Sequence, residues 1–444
     1  MTDRKQAGDK PLRAPDSESR SPRAIVVGIQ GKEALESARE SLLELRELAR
    51  TLDIEVVGEM LQRRESVHPA HFLGKGKLEE LKDLAATEEV RLVLFDAELN
   101  PRQVRNLEKL LSIGIKDRSE VILDIFALRA RTSQAKLQVE LAQAEYLLPR
   151  LRNMWTHFSR TEGRVGMRAG SGEKQLEEDL RATRRKIHVL KKSLKEIEER
   201  KRREVRGRSD VLTVSLVGYT NAGKSTLMNR LTEAGTLAEN KLFATLDTKT
   251  RAWSLPGGRR VLLSDTVGFV RRLPHDLVAS FHATLEETAQ ADLLLHVVDA
   301  SHSRAFEHVQ AVMTVLEQIG AHEIPMITVL NKVDRLRSPL DRKALAVDFD
   351  DALSVSATTG EGMDELVERV CAWIDDQREE FEIVVPMSEG KVLSLLSRHG
   401  TVVSREEEGE DAYRLLVRMT WADAGKIQKE CNGSGVAFHR VAVS

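Results

Sequence analysis

The stretch "VSLVGYTNAGKSTLMNRL", from Val214 to Leu231, constrains this chain more than any other. An apolar run ends at Gly218, Gly223-Lys224-Ser225 follows, and Leu227 and Leu231 then recur at helical spacing. That order predicts a buried strand, a glycine loop and a helix in direct succession. The glycines let the backbone curl so that its amides face one centre, which suits a phosphate chain. Lys224 is expected to reach the β- and γ-phosphates, and the Ser225 hydroxyl to hold Mg²⁺. Gly218, Tyr219, Thr220, Asn221, Ala222, Gly223, Lys224, Ser225 and Thr226 are the expected contacts of this loop.

Two further motifs name the base. "NKVD", Asn331 to Asp334, follows the apolar run "MITVL". A carboxylate at Asp334 accepts from guanine N1–H and its 2-amino group, and adenine offers no such pair of donors. Asn331, Lys332 and Asp334 are therefore expected at a guanine site, with Ser356 and Ala357 of "SVSATTGEG" supporting the base. In "SDTVGFVRRLP", Asp265 is expected to reach the Mg²⁺ shell through water, and the Gly268 amide to bond the γ-phosphate. Many such switches continue with a glutamine that orients water, but Phe269 stands here. Three substitutes are open: a potassium ion near Asn221, groups supplied by a partner, or slow hydrolysis by backbone and water with Phe269 swung aside. Arg271 and Arg272 read more simply as a solvated or RNA-facing pair. A threonine of "KLFATLDTKTR" should meet Mg²⁺, and Thr245, Thr248 and Thr250 all qualify by type.

Strand-like and helix-like runs alternate before and after these motifs. Residues 24–29, 54–61 and 90–96 read as buried strands, with helices at 33–50 and 101–111, the latter opened by Asn100-Pro101. A second amphipathic stretch begins near 137 and is expected to stop at Pro149. From 173 to 208, Ile187, Leu190, Leu194 and Ile197 form one narrow stripe, with Leu176 and Leu180 upstream. Such a stripe suits pairing with one helix, giving an antiparallel hairpin whose connector would be 158–172. Residues 181–208 carry 13 Lys or Arg against four Glu, which suits either a solvated face or phosphate backbone. Trp155, His157 and Phe158 would stack on bases or bury the hairpin's base. "DQREEFE" reads as a charged linker into a small α+β region, and "GKGK" at 74–77 as an ordinary loop.

The fold class expected is α/β: a P-loop GTPase domain at 209–376, preceded by a small α/β domain at 22–133 and an antiparallel helical hairpin at 134–208. A small α+β domain, 377–444, follows, and 1–21 reads as a disordered leader. At 444 residues several domains are needed. The net charge of −2 excludes a global charge argument for nucleic acid, so any such argument is local. Cys371 and Cys431 supply no metal cluster, and no apolar run is long enough for a membrane span. Cytoplasm is the default.

These stretches together resemble the HflX family of ribosome-associated GTPases, in the Obg-like group. The resemblance spans roughly 24–444 and rests also on "FLGKGKLEEL" (72–81), "DRSEVILDIFALRARTSQAKLQVELAQAEYLLPRL" (117–151), "LFATLDTKTR" (242–251) and "ADLLLHVVDAS" (291–301). It implies GTP/GDP and Mg²⁺ as cofactors, slow hydrolysis stimulated by ribosomes, and K⁺ as a candidate ion at Asn221. It implies a 50S-type large subunit with its rRNA, and the 70S-type ribosome, as partners, with splitting or rescue of stalled ribosomes as the task under stress. The hairpin tip would face rRNA, and Thr245 becomes the Mg²⁺-sensing threonine. A monomer, cytoplasmic and in part ribosome- or membrane-peripheral, is expected. Some members are credited with an ATP-dependent RNA-unwinding activity of the N-terminal domain, but no phosphate loop lies within 22–125 here. The chain departs from the family where Arg168 is followed by "AGSGE" rather than a proline-containing run, where "QAK" replaces "EGK", and where "DTKT" replaces "DPTT". The first departure relaxes the φ restriction at the tip. Two rival readings share the motifs: an assembly factor of the large subunit, and a protein-recruiting switch that splits nothing.

Overall fold

A computed structural model describes residues 21–32, 34–161, 170–206, 211–232, 242–243, 248–270, 288–336, 338, 345, 349, 351–409, 411–431 and 436–440. Side chains at 152–161, 170–175, 198, 201–206, 421 and 422 lie outside that description. The chain divides into two compact units, meeting between Val121 and Ile122. Among the described residues, no helix is long and apolar enough to cross a membrane.

The first unit is a parallel four-stranded sheet in the order β2-β1-β3-β4. Its strands are β1 (Arg23–Gln30), β2 (Glu55–Arg63), β3 (Leu92–Phe95) and β4 (Gly114–Asp117). Helices α1 (Leu35–Thr51), α2 (Lys75–Thr87) and α3 (Pro101–Leu111) connect them. Helix α1 buries Leu42, Leu45 and Leu48 at helical spacing. Asn100 and Gln103 cap α3 reciprocally, 2.9 and 3.0 Å apart, with Pro101 at the first helical position. "GKGK" is not a loop: Gly74 is the N-cap of α2 and Leu78 N already donates to its carbonyl. Leu78, Leu81 and Ala85 supply the buried stripe that makes it a helix.

Helix α4 (Arg118–Arg129) leads into the second unit, where α5 (Ser133–Thr161) and α6 (Gly170–Arg206) form the hairpin. Leu141 packs on Leu190 and Leu194, flanked by Leu137 and Ile187. The pair is antiparallel because the short span from 162 to 169 cannot return the chain along the 29 residues of α5. Helix α5 does not stop at Pro149 but runs on through it. A proline removes one donor, and a long helix packed on a partner tolerates that single loss. Residues 158–161 and 170–172 are likewise helical rather than connector.

The GTPase sheet has the order β10-β9-β8-β5-β7-β6. Strands β5 (Thr213–Gly218), β7 (Arg260–Asp265), β8 (Leu293–Asp299), β9 (Met326–Asn331) and β10 (Leu353–Ser354) run parallel. Strand β6 (Lys249–Ser254) adds an antiparallel edge on β7, placing Thr250 opposite Ser264. Helices α7 (Lys224–Leu231), α8 (Ala305–Gln318) and α9 (Met363–Asp376) cover the sheet. Val214, Leu216, Leu295 and Val297 form its core with Leu227 of α7 and Leu366 and Val370 of α9.

The last part is an antiparallel sheet, β12-β13-β11-β14, built from β11 (Arg378–Pro386), β12 (Thr401–Glu408), β13 (Ala412–Thr420) and β14 (Ala437–Arg440). Helices α10 (Gly390–His399) and α11 (Trp421–Glu430) pack on it. "DQREEFE" is therefore no linker, since from Arg378 it is strand. Phe381, Ile383 and Val385 face inward at period two, while Glu382 and Glu379 pair with Arg414 and Arg440.

Candidate nucleotide site

The phosphate loop runs from the end of β5 into α7, so the positive end of that helix closes it. Its curvature depends on three left-handed residues: Gly218, Asn221 and Gly223, with φ of 152°, 61° and 97°. A Cβ at Gly218 would lie 2.2 Å from the Val297 carbonyl oxygen, and one at Gly223 equally close to Asn331 Nδ2. Only glycine fits either place. Asn221 takes its strained conformation with the side chain exposed at the mouth. Thr226 is half-buried in the first turn of α7.

Lys224 is buried, and its Nζ donates to the carbonyls of Gly218 and Tyr219, each at 2.9 Å. Burial pulls its pKa from 10.5 down to about 8; Asp265 opposes the shift and the Lys332 ammonium adds to it. Ser225 Oγ donates to Asp265 Oδ2 at 2.6 Å, joining the start of α7 to the end of β7. A hydroxyl and a carboxylate oxygen side by side at a phosphate loop are the hard donors that Mg²⁺ takes. Among the described residues no cluster of three or more His, Cys, Asp or Glu offers another metal site.

The base motifs and the loop hold each other. Asn331 Nδ2 donates to the Ala222 carbonyl at 2.9 Å, and Asn331 Oδ1 accepts from Ala357 N at 3.0 Å. Lys332 Nζ donates to the Asn221 carbonyl at 2.6 Å and to Asp299 Oδ2 at 2.7 Å. Ser356 Oγ donates to Asp334 Oδ1 at 2.6 Å, so the hydroxyl aims the carboxylate. The residues expected from the two halves of the motif set thus converge on one cleft edge at the C-terminal ends of the strands.

The segment after β7 is sealed to the loop by backbone. Thr220 N donates to the Phe269 carbonyl at 2.7 Å, and Phe269 N to the Gly218 carbonyl at 3.2 Å. Gly268 lies so close that a Cβ would meet Thr220 Cγ2 at 2.8 Å and Lys224 Nζ at 3.1 Å. Phe269 is only 3% exposed. It is not swung aside: an apolar side chain fills the position after Gly268. Thr245, Arg271 and Arg272 lie outside the described residues. Thr248 is half-buried just before β6, and Thr250 is exposed on that strand.

Two contributors, His308 and His296, escaped the motif reading. His308 of α8 stacks flat on Tyr219, ring centroids 3.8 Å apart, which braces the loop from outside. His296 sits in the middle of β8 opposite Val217, 1% exposed, with Nδ1 lacking a partner among the described residues. Burial, reinforced by the Lys224 ammonium, pulls its pKa from 6.5 to about 4, so it stays neutral beneath the loop. "LLLHVVD" carried the only signal, a polar residue in an otherwise apolar strand.

Four family models match the chain in succession. They are described as GTP-binding GTPase N-terminal (39–127), GTP-binding GTPase middle region (129–208), 50S ribosome-binding GTPase (213–332) and HflX C-terminal domain (341–436). "GTPase HflX" of Magnetococcus marinus is 43% identical over 419 residues, covering 93% of this chain and 96% of that protein. "GTPase HflX" of Escherichia coli K12 is 42% identical over 398 residues, covering 88% and 92%. A GTP-binding protein from Sulfolobus solfataricus, solved with GDP, is 24% identical with a TM-score of 0.43, covering 79% of this chain and 98% of that one.

Proposed function

The chain belongs to the HflX family and is a GTP-hydrolysing enzyme, and on that premise we propose that it works on the ribosome, binding the 50S-type large subunit and splitting or rescuing stalled 70S-type ribosomes. The observation that carries this reading is the buried Phe269 beside an otherwise assembled phosphate loop. A side chain without hydrogen-bonding atoms cannot orient water, so fast hydrolysis requires a group from outside the motif. A ribosomal partner supplies that group, and the family kinship supports a large-subunit partner.

The proposed division of labour follows from the contacts. The amides from Asn221 to Thr226 and the Lys224 ammonium receive the phosphates; Lys224 exchanges its two carbonyl partners for phosphate oxygens. Asp334, aimed by Ser356, reads the guanine edge, while Asn331, Lys332 and Ala357 hold the base loop against the phosphate loop. Ser225 and Asp265 would hold Mg²⁺, with Thr245 joining them in the GTP state. That ion, when bound, neutralises charge on the phosphate oxygens. Gly268 senses the γ-phosphate through its amide, which requires the segment now bonded to Gly218 and Thr220 to shift. Asn221, exposed at the mouth, is the proposed ligand of a K⁺ that offsets charge as an arginine finger does.

Residues 181–208, with 13 cations against four Glu, are the proposed contact to rRNA phosphate. The tip they lead to, 162–169, lies outside the described residues. We read the chain as a leader (1–21), an N-terminal domain (22–133), the hairpin (134–208), the GTPase domain (209–376) and a C-terminal domain (377–444). It acts as a cytoplasmic monomer, partly ribosome- or membrane-peripheral, in a stress response. The test is a subunit profile: purified protein with GTP or a non-hydrolysable analogue is added to intact ribosomes. Free subunits should accumulate and the protein should travel with the large one. If subunits stay joined, splitting is wrong; co-migration with precursor particles alone would instead favour an assembly role.

A further inference from the structure

A cleft of about 300 Å³ lies between the GTPase sheet and the C-terminal sheet, away from the phosphate loop. It opens where four elements meet: the entry to β5 at Val211 and Leu212, the turn 257–259 into β7, the C-terminal end of α10 and the N-terminal half of α11. Arg259, Arg260, Arg378, Arg398 and Lys426 all line it, and Asp423 is the lone acid among the lining residues. In a chain of net charge −2 this is a local concentration of positive charge.

The cations are not equally engaged. Arg259 grips Asp375 at 2.7 and 2.9 Å, and Arg378 Nε lies 3.2 Å from the same carboxylate. Asp423 is shared by Thr420 Oγ1 at 2.8 Å, His399 at 3.4 Å and Lys426 at 3.7 Å. Arg260 and Arg398, one from each sheet's side, are exposed and have no side-chain partner among the described residues. The described side chains that line it present charge, with five cations against one acid. Arginine forks match anionic oxygens two at a time, and a diphosphate offers such oxygens to two arginines at once. The turn at Gly257 and Gly258, with φ of 73° and 74°, keeps its backbone open on this side; a Cβ at Gly258 would meet nothing within 4 Å.

We propose that this cleft is a second anion site, taking a diphosphate-type group through Arg260 and Arg398. The group would tie the C-terminal sheet to the base of β7, whose far end carries Asp265. The source of the phosphate, a small diphosphate or the backbone of RNA, is decided by the test. The full chain is saturated with GDP to fill the phosphate loop, and inorganic pyrophosphate is titrated in at low salt by calorimetry. One pyrophosphate per chain should bind, and the R260Q/R398Q double variant should bind it about tenfold more weakly or worse. An R260K/R398K variant should recover part of the affinity, and unchanged melting curves exclude a folding defect in either. Displacement of pyrophosphate by a short oligouridylate would assign the site to an RNA backbone; failure to displace would assign it to a small anion. No binding to GDP-saturated protein, or equal binding by wild type and R260Q/R398Q, would overturn the proposal.

Discussion

Gly268 has no room for a methyl group. Its Cβ would press on the backbone Cα of Thr220 at 2.9 Å, which cannot rotate away, as well as on Thr220 Cγ2. Gly268→Ala should therefore push the segment off the loop and lower GTP turnover by about 10²-fold, while GDP affinity changes far less. Single-turnover kinetics beside GDP titration checks the split. Lys224 allows a second prediction. Its folded pKa, about 8, lies below the unfolded 10.5. The nucleotide-free protein therefore gains stability from this group as pH rises from 8 towards 10.5 and loses it as pH falls through 8. Phosphate beside the ammonium restores the proton, so GDP binding at pH 8.5 should take up protons. Calorimetry in buffers of different ionisation enthalpy reads that uptake, and its absence would contradict the buried, carbonyl-bound Lys224. His296 behaves alike at acid pH. The unfolded chain binds a proton below 6.5 that the folded chain refuses until about 4, so its share of stability is full above 6.5 and is lost as pH falls through 4. Replacing it, as in His296→Leu, should flatten that loss by about 3 kcal/mol in urea melts at pH 7 against pH 4. At this scale the motif residues were legible because their spacing reflects phosphate geometry. His296 and the bracing role of Asn331 were not, because both depend on which strands become neighbours.

At the scale of elements, the hairpin rests on a thin apolar seam in which Leu190 and Leu194 meet Leu141. Leu190→Asp would bury a charge in that seam and should cost about 3 kcal/mol, opening the pair. Loss of helical signal on mild heating, or faster proteolysis of α6 than of the GTPase sheet, reports it; an unchanged melt would mean the seam carries little. Periodicity predicted several strands and helices to within a residue or two, including β1, α1, α3 and β5. It misjudged places where a local rule competed with tertiary pairing. Pro149 normally ends a helix, yet α5 continues against α6. The charged run before Glu382 hid the inward Phe381 of β11, whose glutamates find arginines only across the sheet. Strand β6 was hidden because its outward face is polar and its pairing partner, β7, lies along the chain behind a glycine turn.

For the whole molecule, the motifs and the fold agree on a GTPase whose site is shut by its own backbone. In the proposed function, the bonds Thr220–Phe269 and Phe269–Gly218 exchange before Gly268 meets a γ-phosphate. With Phe269 apolar and Asn221 open at the mouth, the proposed function has an ion or a partner complete the site. Basal turnover should then rise when potassium replaces sodium, and an Asn221→Ala variant should lose that difference; equal rates in both salts would remove the ion from the account. The partner is tested by GTP turnover of the full chain at fixed potassium, with and without purified large ribosomal subunits. Turnover should be slow alone and rise steeply with large subunits, towards the roughly 10³-fold or more that a charge donor in trans supplies. Turnover that is already fast alone, or that large subunits leave unchanged, would contradict it.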